Sequence, residues 1–236
     1  NDIMIDDLGI IFAAGGSGQR YQKGNKLFEP IDSEPLFIRS IRNFSPLCHP
    51  ENAVLVTAEM FEPEFRDYLQ KFLPEYPLKI IRGGTERANS VQNGLAALHK
   101  DVKFVAIHDS ARPLTEPSLL LECLKIARRC GGAVPGKPVS DTLKKIDESG
   151  MIVATVPREQ FWHVETPQVF NRKQLEDAYQ KSVVDELVFT DDAAVMEYAG
   201  YQVKMVFNHA LNHKITWQTD LTGIQNIVRS QKHTAN

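Results

Sequence analysis

Ala13-Ala14-Gly15-Gly16-Ser17-Gly18-Gln19-Arg20 follows a β-rich apolar run, Gly9 to Ala14, without a break, and Lys26 comes soon after. Glycines at 15, 16 and 18 let backbone N–H groups approach a phosphate that side chains would otherwise keep away. Arg20 adds a bidentate cation and Lys26 a point charge. Amides with two cations suit a triphosphate, although such a loop alone is equally a glycine-rich turn. Three named loops fail letter by letter. A dinucleotide fingerprint starting at Gly16 needs Gly or Ala where Tyr21 stands, and a Walker A loop needs Gly-Lys at Tyr21-Gln22. A hydrolase elbow around Ser17 needs glycine at Gln19.

Other chemistry-bearing residues also cluster after apolar runs. Lys79 to Arg82 leads into Gly83-Gly84-Thr85-Glu86-Arg87-Ala88-Asn89-Ser90-Val91, where Ser90 could bond a base or sugar. Phe104 to Ile107 delivers His108-Asp109-Ser110-Ala111-Arg112-Pro113. Asp109 at a buried strand end suits Mg²⁺, which takes carboxylate, water and phosphate oxygens; it could also be a turn former. Arg112 is placed for a second phosphate. His108 is given a structural role, because phosphates that are already ionised need no base.

Arg158, Thr166-Pro167-Gln168, Thr190-Asp191-Asp192 and Asn212-His213-Lys214-Ile215-Thr216 follow in order. Thr190 reads as a helix N-cap with acids in the first turn, and near a phosphate it could donate a hydrogen bond. His209 and His213 have the spacing of a helical zinc pair, but no helical pattern or further ligand supports a site.

The elements that must position these residues alternate. Apolar runs at Gly9–Ala14, Ala53–Thr57, Lys79–Arg82 and Phe104–His108 are separated by helical patterns at Leu36–Phe44, Pro63–Leu73, Arg87–Leu98 and Pro117–Arg129. This order predicts an α/β fold, a mostly parallel sheet with helices on both faces and ligands outside the strands' carboxyl ends. After Val134, Leu143–Ile146 and Met151–Val156 read as a hairpin around the turn Asp147–Gly150; helices near Lys173 and Asp191 and a strand at Gln202–Phe207 resume the alternation. An isolated two-stranded ribbon is marginally stable, so a second copy of the chain is its expected support.

The 236 residues carry 27 Lys and Arg against 30 Asp and Glu, a net charge of −3, with no basic run, which excludes a counterion-releasing duplex-DNA binder. No apolar stretch is long enough to span a bilayer. The acidic opening Asn1–Asp7 is unlike a secretory or transit peptide. Cys48, Cys123 and Cys130 fit a reducing compartment, and a cytoplasmic, bacterial-type location is expected.

Taken in order, the motifs resemble the 2-C-methyl-D-erythritol 4-phosphate cytidylyltransferases of the non-mevalonate isoprenoid pathway, over about residues 9–222. The resemblance implies a single nucleotidyltransferase domain over 1–236, with a Rossmann-like sheet of the nucleotide-diphospho-sugar transferase type. It also implies a homodimer joined by a protruding β-arm at about 137–162. The implied reaction is Mg²⁺-dependent transfer of CMP from CTP to the polyol phosphate with release of pyrophosphate, without nucleic acid or membrane. By motif, Ala14, Gly15 and Gly16 line CTP, Gly84 and Ser90 read cytosine and ribose, and Arg20 and Lys26 hold the triphosphate. Asp109 binds Mg²⁺ and substrate. Arg112, Thr142 and Arg158 reach the acceptor from the partner's arm side, Thr190 and Lys214 from the home subunit, and Thr166 lies near the same phosphate. Ser110 and Asn25 depart from the common pattern, and Ser110 is expected to face the substrate. The alternatives are ribitol-5-phosphate cytidylyltransferase, which shares loop, hairpin and reaction, and a regulator that binds nucleotide without turnover.

Overall fold

The computed structural model describes residues 4–15, 25–184 and 187–234. In chain order its strands are β1 (Leu8–Ala13), β2 (Pro30–Ile31), β3 (Glu34–Pro35), β4 (Ala53–Thr57), β5 (Lys79–Arg82) and β6 (Phe104–Asp109). There follow β7 (Gly132–Pro138), β8 (Leu143–Ile146), β9 (Ile152–Val156), β10 (Trp162–Val164), β11 (Gln168–Asn171) and β12 (Lys204–Phe207). The α-helices are α1 (Leu36–Arg42), α2 (Glu62–Phe72), α3 (Arg87–Ala97), α4 (Pro117–Cys130), α5 (Arg172–Val184), α6 (Asp192–Tyr198) and α7 (Gln218–Thr234).

The main sheet runs β10-β7-β11-β6-β1-β4-β5, with β12 also paired to β7. β5, β4, β1 and β6 are mutually parallel neighbours, and β12 is parallel to β7. β11 enters antiparallel between β6 and β7, and β10 antiparallel to β7. Alternation along β1 divides two cores. Ile10 and Phe12 pack on the face covered by α1, α2, α4 and α7, whereas Ile11 packs on the face covered by α3, α5 and α6. All three side chains are essentially inaccessible, and each such burial contributes roughly 1.5–3 kcal/mol. This is the two-faced burial that continuous apolar strands require. β5, at the sheet edge, is only half covered.

The first four helices and β1, β4, β5 and β6 fall where the sequence pattern predicts. Helix α7 and strands β7, β10 and β11 go beyond it. β8 and β9 form a separate antiparallel pair with a register shift at Lys145/Ile146. Its turn is built by Asp147, whose carboxylate accepts from the N–H groups of Ser149 and Met151, and by Gly150 at φ 85°. Pro138 and Trp162 remain paired to each other in the main sheet, so the hairpin departs between them, slightly inside the expected bounds 137–162.

Candidate active site

The parallel strands end on one edge, and short backbone bonds carry the sheet pattern into the loops there. Ala14 N–H donates to Val56 O at 2.8 Å, Gly83 N–H to Thr57 O at 2.7 Å and Ser110 N–H to Ala13 O at 3.1 Å. Those three loops line a cavity of about 290 Å³ that gathers Ala14, Gly15, Lys26, Gly84, Ser90, Asp109 and Lys214. Gly84 suits its place: a Cβ there would lie 2.2 Å from that of Asn89. Its N–H donates to Ser90 Oγ at 3.1 Å, and Ser90 in turn donates to Glu86 O, so Ser90 shapes the glycine turn as well as lining the cavity. Asn25 caps the short turn that carries Lys26 by accepting from Leu27 N–H at 3.1 Å, and Lys26 Nζ donates to Ile215 O at 2.7 Å. Gly16 and Arg20 lie outside the described residues.

A second cavity of about 600 Å³ adjoins the first and includes Arg112, Thr166, Gln168 and Thr190. Arg87, Asp109 and Lys214 line both. Asp109 is the electrostatic centre of this shared wall. Lys214 Nζ lies 3.0 Å and Arg112 Nε 3.3 Å from its Oδ2, and Arg87 Nη1 lies 3.8 Å from its Oδ1. Burial alone would raise the Asp109 carboxyl, but Lys214, Arg112 and Arg87 together hold it well below the usual carboxylate range. The acid therefore stays ionised, with cations on every side.

Asn212 anchors the strand-like segment that presents Lys214. This buried amide donates to Thr166 O at 2.9 Å and to Glu165 Oε2 at 3.0 Å, and it accepts from Thr115 at 2.6 Å. Its backbone carbonyl takes Arg112 Nη1 at 2.6 Å, and Ile215 N–H donates to Ala111 O. Lys214 is thus a cation on a fixed base, paired to Asp109 and still 46% exposed at its side chain.

Three expectations change here, those for Ser110, the Thr190 cap and Arg112. Ser110 does not face a substrate: it is fully buried, its Oγ has no hydrogen-bond partner among the described residues, and its carbonyl accepts from Ser40 Oγ at 2.8 Å. The chain turns inward after β6, placing Ser110 beneath α1. Asp191, not Thr190, caps α6, accepting from Ala194 N–H at 3.1 Å, which leaves Thr190 exposed at the second cavity. Thr166 is 5% exposed, and its hydroxyl is engaged by Asp109 N–H and by His108 Nδ1, both at 3.0 Å. Arg112, expected on the arm side of a partner, packs beside Asp109 of its own chain. Thr142 and Arg158 are exposed in the hairpin region, outside both cavities, and Arg158 donates to Ser140 O. His108 is fully buried and its pKa is pushed down to about 3, by burial first, so it is a neutral ring packed edge-on against Phe44 and Phe12. Arg87 carries more of the site than its sequence motif signals. A cation in the first turn of α3 is disfavoured by the helix dipole, and Asp192 and Asp109 offset this here; that position is the clue the sequence offers.

A sheet whose carboxyl edge gathers lysines and arginines around one ionised acid, between a glycine-lined cavity and a second, wider one, has the form of a nucleotidyltransferase. Solved structures of the same architecture include 4-diphosphocytidyl-2C-methyl-D-erythritol synthase from Anaerococcus prevotii, with TM-score 0.81 and 25% identity, covering 95% of this chain and 99% of that one. Another is 2-C-methyl-D-erythritol 4-phosphate cytidylyltransferase from Thermus thermophilus, with TM-score 0.79 and 28% identity, covering 95% and 100%. The enzyme of that name from Caldanaerobacter subterraneus is 36% identical over 217 residues, 90% of this chain and 94% of the relative. The family model for 2-C-methyl-D-erythritol 4-phosphate cytidylyltransferase matches residues 8–230, and the chain belongs to that family.

Proposed function

We propose that this chain transfers CMP from CTP to 2-C-methyl-D-erythritol 4-phosphate, and that the observation carrying the reading is the Lys214–Asp109 pair on the wall shared by the two cavities. In this reading CTP occupies the glycine-lined cavity, against Ala14, Gly15 and Gly16, with Gly84 and Ser90 at the nucleoside and Arg20 and Lys26 at the triphosphate. The acceptor occupies the second cavity, its phosphate toward Lys214, Thr190 and Arg112, with Thr166 shaping the floor.

The chemical obstacle is repulsion between two anionic phosphates, which grows as water is excluded. An acceptor-phosphate oxygen attacks the α-phosphorus of CTP, the bond from that phosphorus to the bridging oxygen of the β-phosphate breaks, and pyrophosphate leaves. Lys26, Lys214, Arg112 and Arg158 would offset the charge and hold the reacting oxygens in line, leaving little covalent work for the protein.

Asp109 suits a Mg²⁺ site. Lys214 and Arg112 hold its Oδ2, whereas Oδ1 is approached by Arg87 at no less than 3.8 Å and would be the oxygen offered to the ion; one ionised carboxylate with phosphate oxygens is a donor set Mg²⁺ favours. Bound there, the ion would supply charge neutralisation at the phosphates.

The β8–β9 hairpin supports a homodimer. Ile146, Met151, Ile152 and Val153 are 58–67% exposed on it, an apolar set that a second copy would cover. Such pairing would carry Thr142 and Arg158 toward the partner's acceptor cavity. No helix among the described residues is long and apolar enough to cross a membrane. We propose a cytoplasmic location, which three free cysteines support.

A pyrophosphate-release assay crossing four nucleoside triphosphates with methylerythritol phosphate and ribitol 5-phosphate tests the function. Turnover is expected with CTP and methylerythritol phosphate. Preference for ribitol phosphate, or binding of CTP without pyrophosphate release, would overturn it.

A further inference from the structure

One charged network extends behind the cleft and takes no part in the reaction as described. Asp192, the first residue of α6, is completely buried. One of its oxygens accepts from Arg87 Nη2, and the other accepts from the Tyr179 hydroxyl at 2.5 Å. Arg87 then reaches forward to Asp109 at 3.8 Å, with a third of its side chain exposed where the two cavities meet. The start of α6 is itself fixed to β11: Gln168 donates to Asp191 Oδ2 at 2.9 Å and accepts from Ala193 N–H at 3.1 Å. The Arg87 guanidinium on α3 therefore meets Asp192 on α6 and Asp109 at the end of β6, while Tyr179 on α5 and Gln168 on β11 hold Asp192 and its neighbours from behind.

A buried carboxylate is costly unless it is paired and hydrogen-bonded. Asp192 has that pairing only while Arg87 keeps its present orientation. The planar guanidinium suits this place because it can direct separate N–H groups at two carboxylates, which a lysine ammonium on a flexible stem does poorly. We propose that Asp192 and Tyr179 are positioning residues that act through Arg87, holding it so that Asp109 is fixed on the wall between nucleotide and acceptor. The inference rests on the transfer reaction proposed above. It adds that the wall's geometry is set from behind, by residues that touch neither substrate.

The test uses the full chain carrying Asp192→Asn, Tyr179→Phe, Arg87→Lys, and Arg87→Lys with Asp192→Asn together. Outer-shell partners that orient metal ligands typically change affinity or activity by roughly 10–100-fold, and a similar factor is expected for partners that orient Arg87. Asp192→Asn, nearly isosteric, is expected to lower kcat by about that factor while the KM for CTP moves less than about threefold. Tyr179→Phe, which leaves the Arg87–Asp192 pair in place, should show a smaller loss in the same direction. The double variant should be little worse than either parent single, because both disturb one device. Nitrogen NMR of the Arg87 guanidinium, recorded without substrates, should show restricted Nη rotation in the wild type and free rotation in Asp192→Asn. This separates failure of the positioning device from failure of the transfer reaction. Freely rotating Nη groups in the wild type would overturn the proposal, as would full kcat in folded Asp192→Asn or multiplicative losses in the double variant.

Discussion

Lys26→Ala is expected to lower kcat by about 10²–10³-fold at saturating CTP, the loss of roughly 3–4 kcal/mol that follows removal of one preorganised charge-stabilising donor. Lys26 lines the nucleotide cavity with Asp109 and Lys214, and its ammonium is held by the Ile215 carbonyl at 2.7 Å. The base of the side chain is fixed by the Asn25 cap. Such a cation needs little reorganisation when charge builds on the leaving phosphates, and that is why a large factor is expected in kcat rather than in KM alone. Lys26→Arg, which keeps the charge but changes its shape, should recover part of the rate. Near-normal kcat in a folded Lys26→Ala protein would contradict this role.

A second large effect is expected from mixing chains. Arg158 sits on the exposed hairpin side and outside both cavities of its own chain, so in the homodimer proposed above it would serve the partner's cavity. Arg158→Ala and Lys26→Ala homodimers should each be nearly inactive. A heterodimer of the two regains one complete site, because in a two-fold dimer one cavity receives Lys26 from one chain and Arg158 from the other, giving about half of wild-type activity. Verified heterodimers with no restored turnover would exclude a site shared between subunits.

Much of this site could be read from residues because its parts lie at strand ends. Runs such as Gly9–Ala14 and Phe104–His108 announce buried parallel strands, and parallel strands deliver their following loops to one edge. Asp109, Lys26, Gly84 and Lys214 meet for that reason. What the sequence hides are contacts between distant segments. Arg87 and Asp192 are 105 residues apart, and nothing local to Thr190-Asp191-Asp192 tells which acid caps the helix and which turns inward. Ser110 misleads in a different way: a polar side chain after a strand suggests a cleft, yet the turn of the backbone at Ala111 puts it under α1. In α7, the apolar residues Leu221, Ile224 and Val228 do recur at helical spacing, but they are diluted by polar neighbours and gain meaning only once the face they cover is known.

In the reaction proposed for the two cavities joined at Asp109, the acceptor phosphate attacks CTP directly, with the leaving pyrophosphate on the opposite side of the α-phosphorus. The stereochemistry at that phosphorus tests this without reference to any single side chain. With a chiral α-thio analogue of CTP, one in-line displacement gives a product of inverted configuration. Retention would mean two displacements through a covalent enzyme intermediate, and it would contradict direct transfer across this shared wall.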